Sequence, residues 1–394
     1  MPERVWITTQ EAAQRLGVKP ETVYAYVSRG ILVSRRNPAG RGSLLDRDQV
    51  DRLAAGGRRG ATGERRVHRF RSVASAVSRS SADALYYRDQ EVTSWSEEHD
   101  LADSVDLVLG VTPGTVRGAA PPTLRPGPWR ELGRVPLDRR PAGVVTRLAE
   151  QGWGLTSDPA EVGPATAGLV HLLVAALAAP GHPADDEDLA SRVVRNLTRA
   201  DPDPGVVAAV DALLIQLLDH GLTASTTAAR AAASARAGLA DCLLAGYAAL
   251  AGRAHGTAPA AVHVELAREV HEPGSWRPDP QHPPGFGHFL YGAGDPRADA
   301  VLARWERVPA AAPVLEALDR ARTRLPGDGS YEPNIDAAVA VSTVTLGLPP
   351  EAGPALFALA RTAGLAAHTA EELAEDLLRW RGRAATRASG PQTW

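Results

Sequence analysis

At 394 residues and 44% hydrophobic, the chain can bury a large core spread over two or three domains. A single cysteine, Cys242, excludes a disulfide framework and a cysteine-based zinc site; the N-terminal MPERVWITTQ has no apolar leader, and the longest apolar run, Ala167 to Pro180, is too short to span a bilayer, so a cytoplasmic protein is expected. The net charge of −3 is uneven: residues 1–69 hold 14 basic and 7 acidic side chains, a net +7 that leaves −10 on the remainder and points to an anionic partner, nucleic acid first, for the head.

Residues 8–30 read TTQEAAQRLGVKPETVYAYVSRG. Thr8 or Thr9 can cap a helix over EAAQRL, whose Ala12, Ala13 and Leu16 form one apolar face. Gly17 makes a tight turn, and Lys19-Pro20-Glu21-Thr22 opens a second helix with proline in its first turn, Val23 and Val27 facing inward. This is a helix-turn-helix, in which the second helix would lie in the major groove. The continuation, ILVSRRNPAGRGSLLDRDQVDRL, adds a basic hairpin-like wing and a third helix from Asp46. The whole resembles the winged helix-turn-helix of the MerR/excisionase type. That resemblance implies DNA contacts from Lys19, Thr22, Tyr24, Tyr26 and Arg29, with Arg35, Arg36 and Arg41 on phosphates. The competing reading packs Tyr24 or Tyr26 on the core and leaves the arginines solvated. One such module makes few phosphate contacts, so useful affinity requires a dimer.

Residues 55–70, AGGRRGATGERRVHRF, read as linker sequence, and the domain division sets the linker at 57–70 between a head at 1–56 and a body at 71–394. Residues 71–165 are mixed, with strand-like pieces such as Ala84–Tyr87 and the proline-rich APPTLRPGPW. From Thr166 onward, long Ala/Leu segments with 3.6-residue periodicity predict packed helices, broken by a loop at 271–287. The tail after Arg383 is expected to be mobile. His171, His263 and His368 fall in no recognisable motif and read as structural; Trp153, Trp276 and Trp305 read as core or loop anchors.

Six stretches of the body follow one another in the order LLDHGLTASTTAARAAAS, AGRAHGTAPAAVHVEL, PGFGHFLYGAGDPRADAVL, EPNIDAAVA, LFALARTAGLAAH and RWRGRAATRASGP. In residue type and order they resemble the motifs of citrate synthases, over roughly residues 68–394. GFGH with DPRA, followed by PNID, is the specific pair. The resemblance implies an all-α fold of a large and a small helical domain, the small one roughly at 256–355, and a homodimer. It places His255, His288 and Asp336 as catalytic residues, and His220, Arg297, Arg361 and Arg381 on substrate carboxylates, Arg381 reaching the neighbouring subunit's site.

The implied reaction is condensation of acetyl-CoA, or a short acyl-CoA, with oxaloacetate to give citrate and CoA, with no metal and no cofactor beyond the acyl-CoA co-substrate. Asp336 would take a proton from the methyl next to the thioester, from a site dry enough to raise its basicity. His255 would hold the enolate oxygen, and His288 would polarise the ketone. Arginine suits a carboxylate because its planar fork makes two parallel hydrogen bonds. The departures lie on the CoA side. His255 sits in Gly252-Arg253-Ala254-His255-Gly256-Thr257, and His288 is followed by Phe289-Leu290-Tyr291-Gly292-Ala293-Gly294, with no basic residue for a CoA phosphate. Propionyl-CoA is therefore an alternative donor. The alternative function is a DNA-binding regulator whose body senses oxaloacetate or acyl-CoA.

Overall fold

The computed structural model describes residues 6–16, 34–36, 43–47, 49–50, 73–179, 188–288, 290–291, 294–326 and 331–380, with the single positions 23, 27 and 32. The chain divides into two compact units, Met1–Val73 and Ala74–Trp394. The linker expected at 57–70 lies outside the described residues.

In the first unit, β1 (Trp6–Thr8), β2 (Ser34–Arg36) and β3 (Ser43–Asp46) form an antiparallel sheet in the order β1-β3-β2, with Ile7 opposite Leu45 and Arg35 opposite Leu44. The β2–β3 pair is the wing. Helix α1 (Thr9–Leu16) starts from a reciprocal cap: Thr8 Oγ1 accepts from the Glu11 amide at 3.2 Å, and the Glu11 carboxylate accepts from the Thr8 amide at 2.8 Å. Ala12, Ala13 and Val23 meet Ile7, Leu32, Leu45 and Val50 in a small core, with Leu16 and Val27 packed against it. The residues read as inward-facing, Ala12, Ala13, Leu16, Val23 and Val27, all meet this core, and the rest of the second helix lies outside the described residues. Asp46 closes β3 and also opens the third helix expected there: Arg47, Gln49 and Val50 are helical, and the Asp46 Oδ1 accepts from the Gln49 amide at 3.4 Å.

The second unit begins with a meander of β4 (Ser78–Ser80), β5 (Leu85–Tyr87) and β6 (Gln90–Glu91). It is otherwise helical: α2 (Val92–Glu98), α3 (Leu101–Leu109), α4 (Thr115–Gly118), α5 (Pro126–Leu132), α6 (Arg140–Ala149), α7 (Pro159–Leu177), α8 (Leu189–Thr198), α9 (Pro204–Leu217), α10 (Ala224–Ser234), α11 (Leu239–Leu250), α12 (Ala258–His271), α13 (Pro296–Trp305), α14 (Ala312–Arg322), α15 (Ile335–Thr345) and α16 (Ala352–Leu373). Short polar residues start many of these helices. Asp100, Asp158, Asp188, Asp203, Asp295 and Asn334 each accept from first-turn amides that would otherwise lack partners.

Helix α16 is the axis of this unit, buried almost throughout and packed on α7, α9, α10, α11 and α12. Its alanines and Gly364 keep its surface thin, so neighbouring helices approach closely. The apolar run read from Ala167 belongs to α7, which begins earlier, at Pro159. At 19 residues α7 is long and apolar enough to cross a membrane by length and composition, but it is mostly buried against α16, α8 and α6 as a core helix. Trp276 and Trp305 are buried, Trp153 packs at the core's edge, and Trp305 Nε1 donates to Ser342 Oγ at 2.7 Å. His171 Nε2 bonds to the Val116 carbonyl at 2.7 Å and His263 Nδ1 to Thr343 Oγ1 at 2.8 Å, structural positions as read.

Candidate active site

Two loops that are far apart in sequence are tied backbone to backbone. The Gly287 amide donates to the Glu332 carbonyl at 2.8 Å, the Asn334 amide to the Gly285 carbonyl at 2.9 Å, and Phe286 bridges Pro333. Asn334 also donates through Nδ2 to the Gly287 carbonyl at 3.0 Å, while its Oδ1 accepts from the Asp336 amide at 3.0 Å and caps α15. Gly285 has φ of 83°, and a Cβ there would lie 2.9 Å from Val262 Cγ1, so the loop demands glycine. GFGH and PNID thus form one structural element, with His288 and Asp336 at its two ends.

Asp295 joins this element to α13. It takes Arg297 in a two-bond fork, Nε to Oδ1 at 2.9 Å and Nη2 to Oδ2 at 2.7 Å, and also accepts from the Ile335 amide at 3.0 Å. Both side chains are buried. Burial opposes the ionisation of Asp295, yet the Arg297 charge and bonds hold its carboxyl below the usual range. The reading of Arg297 as a substrate ligand is therefore refined: Nε and Nη2 are engaged inside the chain, and only Nη1 lies outside the fork. Asp336, one residue past Ile335, is the opposite case. Burial pushes its carboxyl up to about 7; the Arg297 charge pulls downward and Asp295 pushes it further up.

His220, in the turn between α9 and α10, faces His288 edge-on with ring centroids 5.4 Å apart. Its Nε2 bonds to the Tyr291 hydroxyl at 2.8 Å, and the Tyr291 ring lies 4.7 Å from His288 and 5.6 Å from the Arg297 guanidinium. Burial lowers the His220 pKa to about 2, with the Arg297 and Arg361 charges adding to the effect. His288 is lowered to about 4, by burial and then by Arg297. His255, between α11 and α12, bonds through Nε2 to Ser225 Oγ at 2.8 Å; burial and the Arg361 charge lower it to about 4. All three imidazoles are neutral at pH 7.

Arg361 is 1% exposed. Its Nε donates to the Leu217 carbonyl at 2.9 Å and its guanidinium lies 4.9 Å from the Phe357 ring, which in turn faces His255 at 6.2 Å. Nη1 is buried and has no hydrogen-bond partner among the described residues. Burial lowers its pKa, a cost that an anion would relieve. The structure thus gathers His220, His288, Arg297 and Asp336 around Tyr291 and Asp295, with Arg361 electrostatically linked to His220 and His255. Chemically this provides a carboxyl able to exchange a proton near neutrality, three uncharged imidazoles and a buried cation with an open N–H. Among the described residues, no group of three or more His, Cys, Asp or Glu side chains is placed to hold a metal ion.

Arg381 lies outside the described residues, as do Lys19, Thr22, Tyr24, Tyr26, Arg29 and Arg41 of the head. Arg35 is exposed on β2, its guanidinium 4.2 Å above the Trp6 ring; Arg36 lies on the same strand. Sequence reading missed Tyr291, Ser225, Asp295 and Phe357 as partners. Asp295 was visible in the DPR motif, and Tyr291 stood three residues past His288, but their pairings join segments tens of residues apart and leave no local periodicity.

Residues 163–382, more than half of the chain, match the family model described as the citrate synthase C-terminal domain. The chain belongs to the citrate synthase family. A helix-turn-helix domain model matches residues 6–58. Among curated relatives, one from Mycobacterium tuberculosis, provisionally named citrate synthase 2, is 35% identical over 201 residues, 47% of this chain and 53% of that protein. The citrate synthase of Synechocystis sp. is 30% identical over 207 residues, 49% of this chain and 52% of its own. The chain spans about half the length of the curated relatives it matches. The Thermoplasma acidophilum citrate synthase, solved as a ternary complex with carboxymethyl coenzyme A and oxaloacetate, superposes with a TM-score of 0.69 at 20% identity, covering 83% of this chain and 96% of that one. The Pyrobaculum aerophilum enzyme gives 0.66 at 19% identity, covering 92% and 96%. These likenesses establish the citrate synthase fold, preceded by a small helix-turn-helix unit.

Proposed function

We propose that the chain condenses acetyl-CoA, or another short acyl-CoA, with oxaloacetate to release citrate or a close analogue and free CoA. The observation that carries this reading is Asp336, a carboxyl raised to about 7 by burial within a cluster of neutral histidines and buried arginines. A base for a weak carbon acid works best with a pKa near the operating pH. Asp336 takes the methyl proton. His255, kept neutral and oriented by Ser225, donates to the developing enolate oxygen. His288 donates to the ketone oxygen as it becomes an alkoxide. His220, Nη1 of Arg297, Arg361 and, from a second copy, Arg381 hold the two carboxylates. Hydrolysis of the condensed thioester then frees CoA. The acyl-CoA is the co-substrate, no further cofactor takes part, and the working form is a cytoplasmic homodimer.

The test is oxaloacetate-dependent thiol release from acetyl-CoA and propionyl-CoA by the full chain. Release should be saturable in oxaloacetate, and the ratio of kcat/KM names the donor. Absence of release from either thioester by the folded protein would remove this reading.

A second function for the head rests on its family match and wing, with net +7 over residues 1–69. It binds DNA as a pair of heads on the dimer and reports the body's ligand state. Deleting residues 1–66 should leave thiol release within about twofold and abolish DNA binding that weakens steeply with salt. DNA binding that persists in the truncated protein would refute the assignment to the head.

A further inference from the structure

His220 and Arg361 come from different segments, and one buried carboxylate that neither reading uses stands behind both. Along α16, Arg361, Gly364 and His368 fall at i, i+3 and i+7, one row on the helix surface. The turn carrying His220 lies against that row. Arg361 Nε holds the Leu217 carbonyl at 2.9 Å. A Cβ on Gly364 would stand 2.4 Å from the Leu218 carbonyl oxygen and 2.5 Å from Asp219 Oδ1, so a glycine is what admits the turn this close. His368 Nε2 meets Asp219 Oδ2 at 3.2 Å, while its Nδ1 faces Arg230 Nη1 at 2.7 Å. With Arg230 donating to Nδ1, Nε2–H is the donor to Asp219.

Asp219 is fully buried. Its Oδ2 also accepts from the Gly221 amide at 2.8 Å and from the Ser78 hydroxyl, and Ser78 Oγ accepts from the same Gly221 amide at 3.0 Å. The Asp219 amide donates to the Tyr87 hydroxyl at 3.2 Å, which itself donates to the Ile215 carbonyl at 2.7 Å. The backbone is therefore pinned on both sides of His220. Asp219 Oδ1, like Arg361 Nη1, is buried with no hydrogen-bond partner among the described residues. Its charge acts on Arg361 through space rather than through a bond that a substrate carboxylate would have to break.

We propose that Asp219 is a positioning residue that, with Ser78, His368 and Gly364, fixes the His220–Arg361 pair in the geometry that receives a dicarboxylate. It touches no substrate. It removes the freedom of the His220 turn before binding, so that the entropy of aligning the pair is not lost on association. The inference rests on the condensing reading of the site.

Asp219→Asn tests it, because the amide keeps the shape but removes the charge. Ser78→Ala is the milder second variant, at a partly buried position. In thiol-release kinetics Asp219→Asn should raise KM for oxaloacetate about tenfold and Ser78→Ala about threefold, with kcat and the KM for acyl-CoA each within about twofold of the parent. A merely structural part would lower the active fraction, and so the apparent kcat, at constant KM. The rise in Tm caused by oxaloacetate should shrink in the same order. Parent-like KM and Tm shift in a folded Asp219→Asn overturn the proposal; if that variant does not fold, the same result in Ser78→Ala does so. A parent without thiol release but with an oxaloacetate Tm shift defeats the condensing reading alone, and the graded shifts still decide the role of Asp219. A parent with neither defeats both.

Discussion

Asp336→Asn should lose thiol release by about a thousandfold or more while folding more stably than the parent at pH 8. The first half follows from removing the only group proposed to take the methyl proton; a positioned base contributes roughly 10²- to 10⁴-fold. The second half follows from the raised pKa. In the folded chain burial lifts the Asp336 carboxyl to about 7, against about 3.9 for an unfolded aspartate. Between those values the folded state binds the extra proton, so its stabilising contribution is complete below about pH 4 and is lost as pH rises through 7. At pH 8 the parent holds a carboxylate where the neutral form is preferred, at a cost on the order of 4 kcal/mol. Asparagine escapes that cost.

Urea midpoints for variant and parent should therefore coincide near pH 4 and separate progressively up to about pH 7.5. The pH profile of the parent's kcat/KM should carry the same signature, rising about tenfold per unit below pH 7 and levelling above it. The histidines do not set this limb, since His255 and His288 have already lost their protons above about 4. Appreciable thiol release by Asp336→Asn, or a rising limb centred near 4, would contradict the assignment.

What could be read from the sequence divides along physical lines. The inward faces of α1 and of the segment with Val23 and Val27 were visible because helical spacing repeats locally. The pairing of GFGH with PNID was visible as order and spacing, and the bridge between Phe286 and Pro333 with the Asn334 cap explains why the two travel together. The apolar run from Ala167 showed only the later part of α7, because the residues before it are less uniformly apolar. Pro159 occupies the first turn, where its missing N–H has no partner to lose. The connection of His368 to Asp219 was invisible: the two are 149 positions apart and joined only through the packing of α16 on the His220 turn. The refinement of Arg297 has the same origin. A sequence shows a DPR motif, not that the aspartate and arginine engage each other. The paired state of a buried ion depends on which group is within 3 Å, and that is a property of the fold.

Arg361→Met should abolish the thermal stabilisation by oxaloacetate and raise KM for oxaloacetate roughly a hundredfold or more, the expected loss for a buried charged partner of an anion. Methionine preserves the reach and the packing on Phe357, so the loss reports the guanidinium and not a cavity. Arg361→Lys should fare little better, because an ammonium on a flexible stem cannot keep the bond to the Leu217 carbonyl and still present a second N–H in the fixed plane of the fork. Undiminished oxaloacetate stabilisation of Arg361→Met would show that the substrate carboxylates lie elsewhere. The contrast with Arg297 makes this a discriminating test. Arg297 has its compensation built into the chain through Asp295, so its pKa is raised; Arg361 is buried with its pKa lowered and one N–H group unsatisfied among the described residues. Of two arginines flanking the same histidine, the one that the fold compensates only through space, by the Asp219 charge, and leaves with an unpartnered N–H among the described residues is the one whose energetics call for an external anion, as Asp336 is the carboxyl whose energetics call for a proton. Both groups lower the stability of the free protein, and both are relieved by the steps of the proposed reaction.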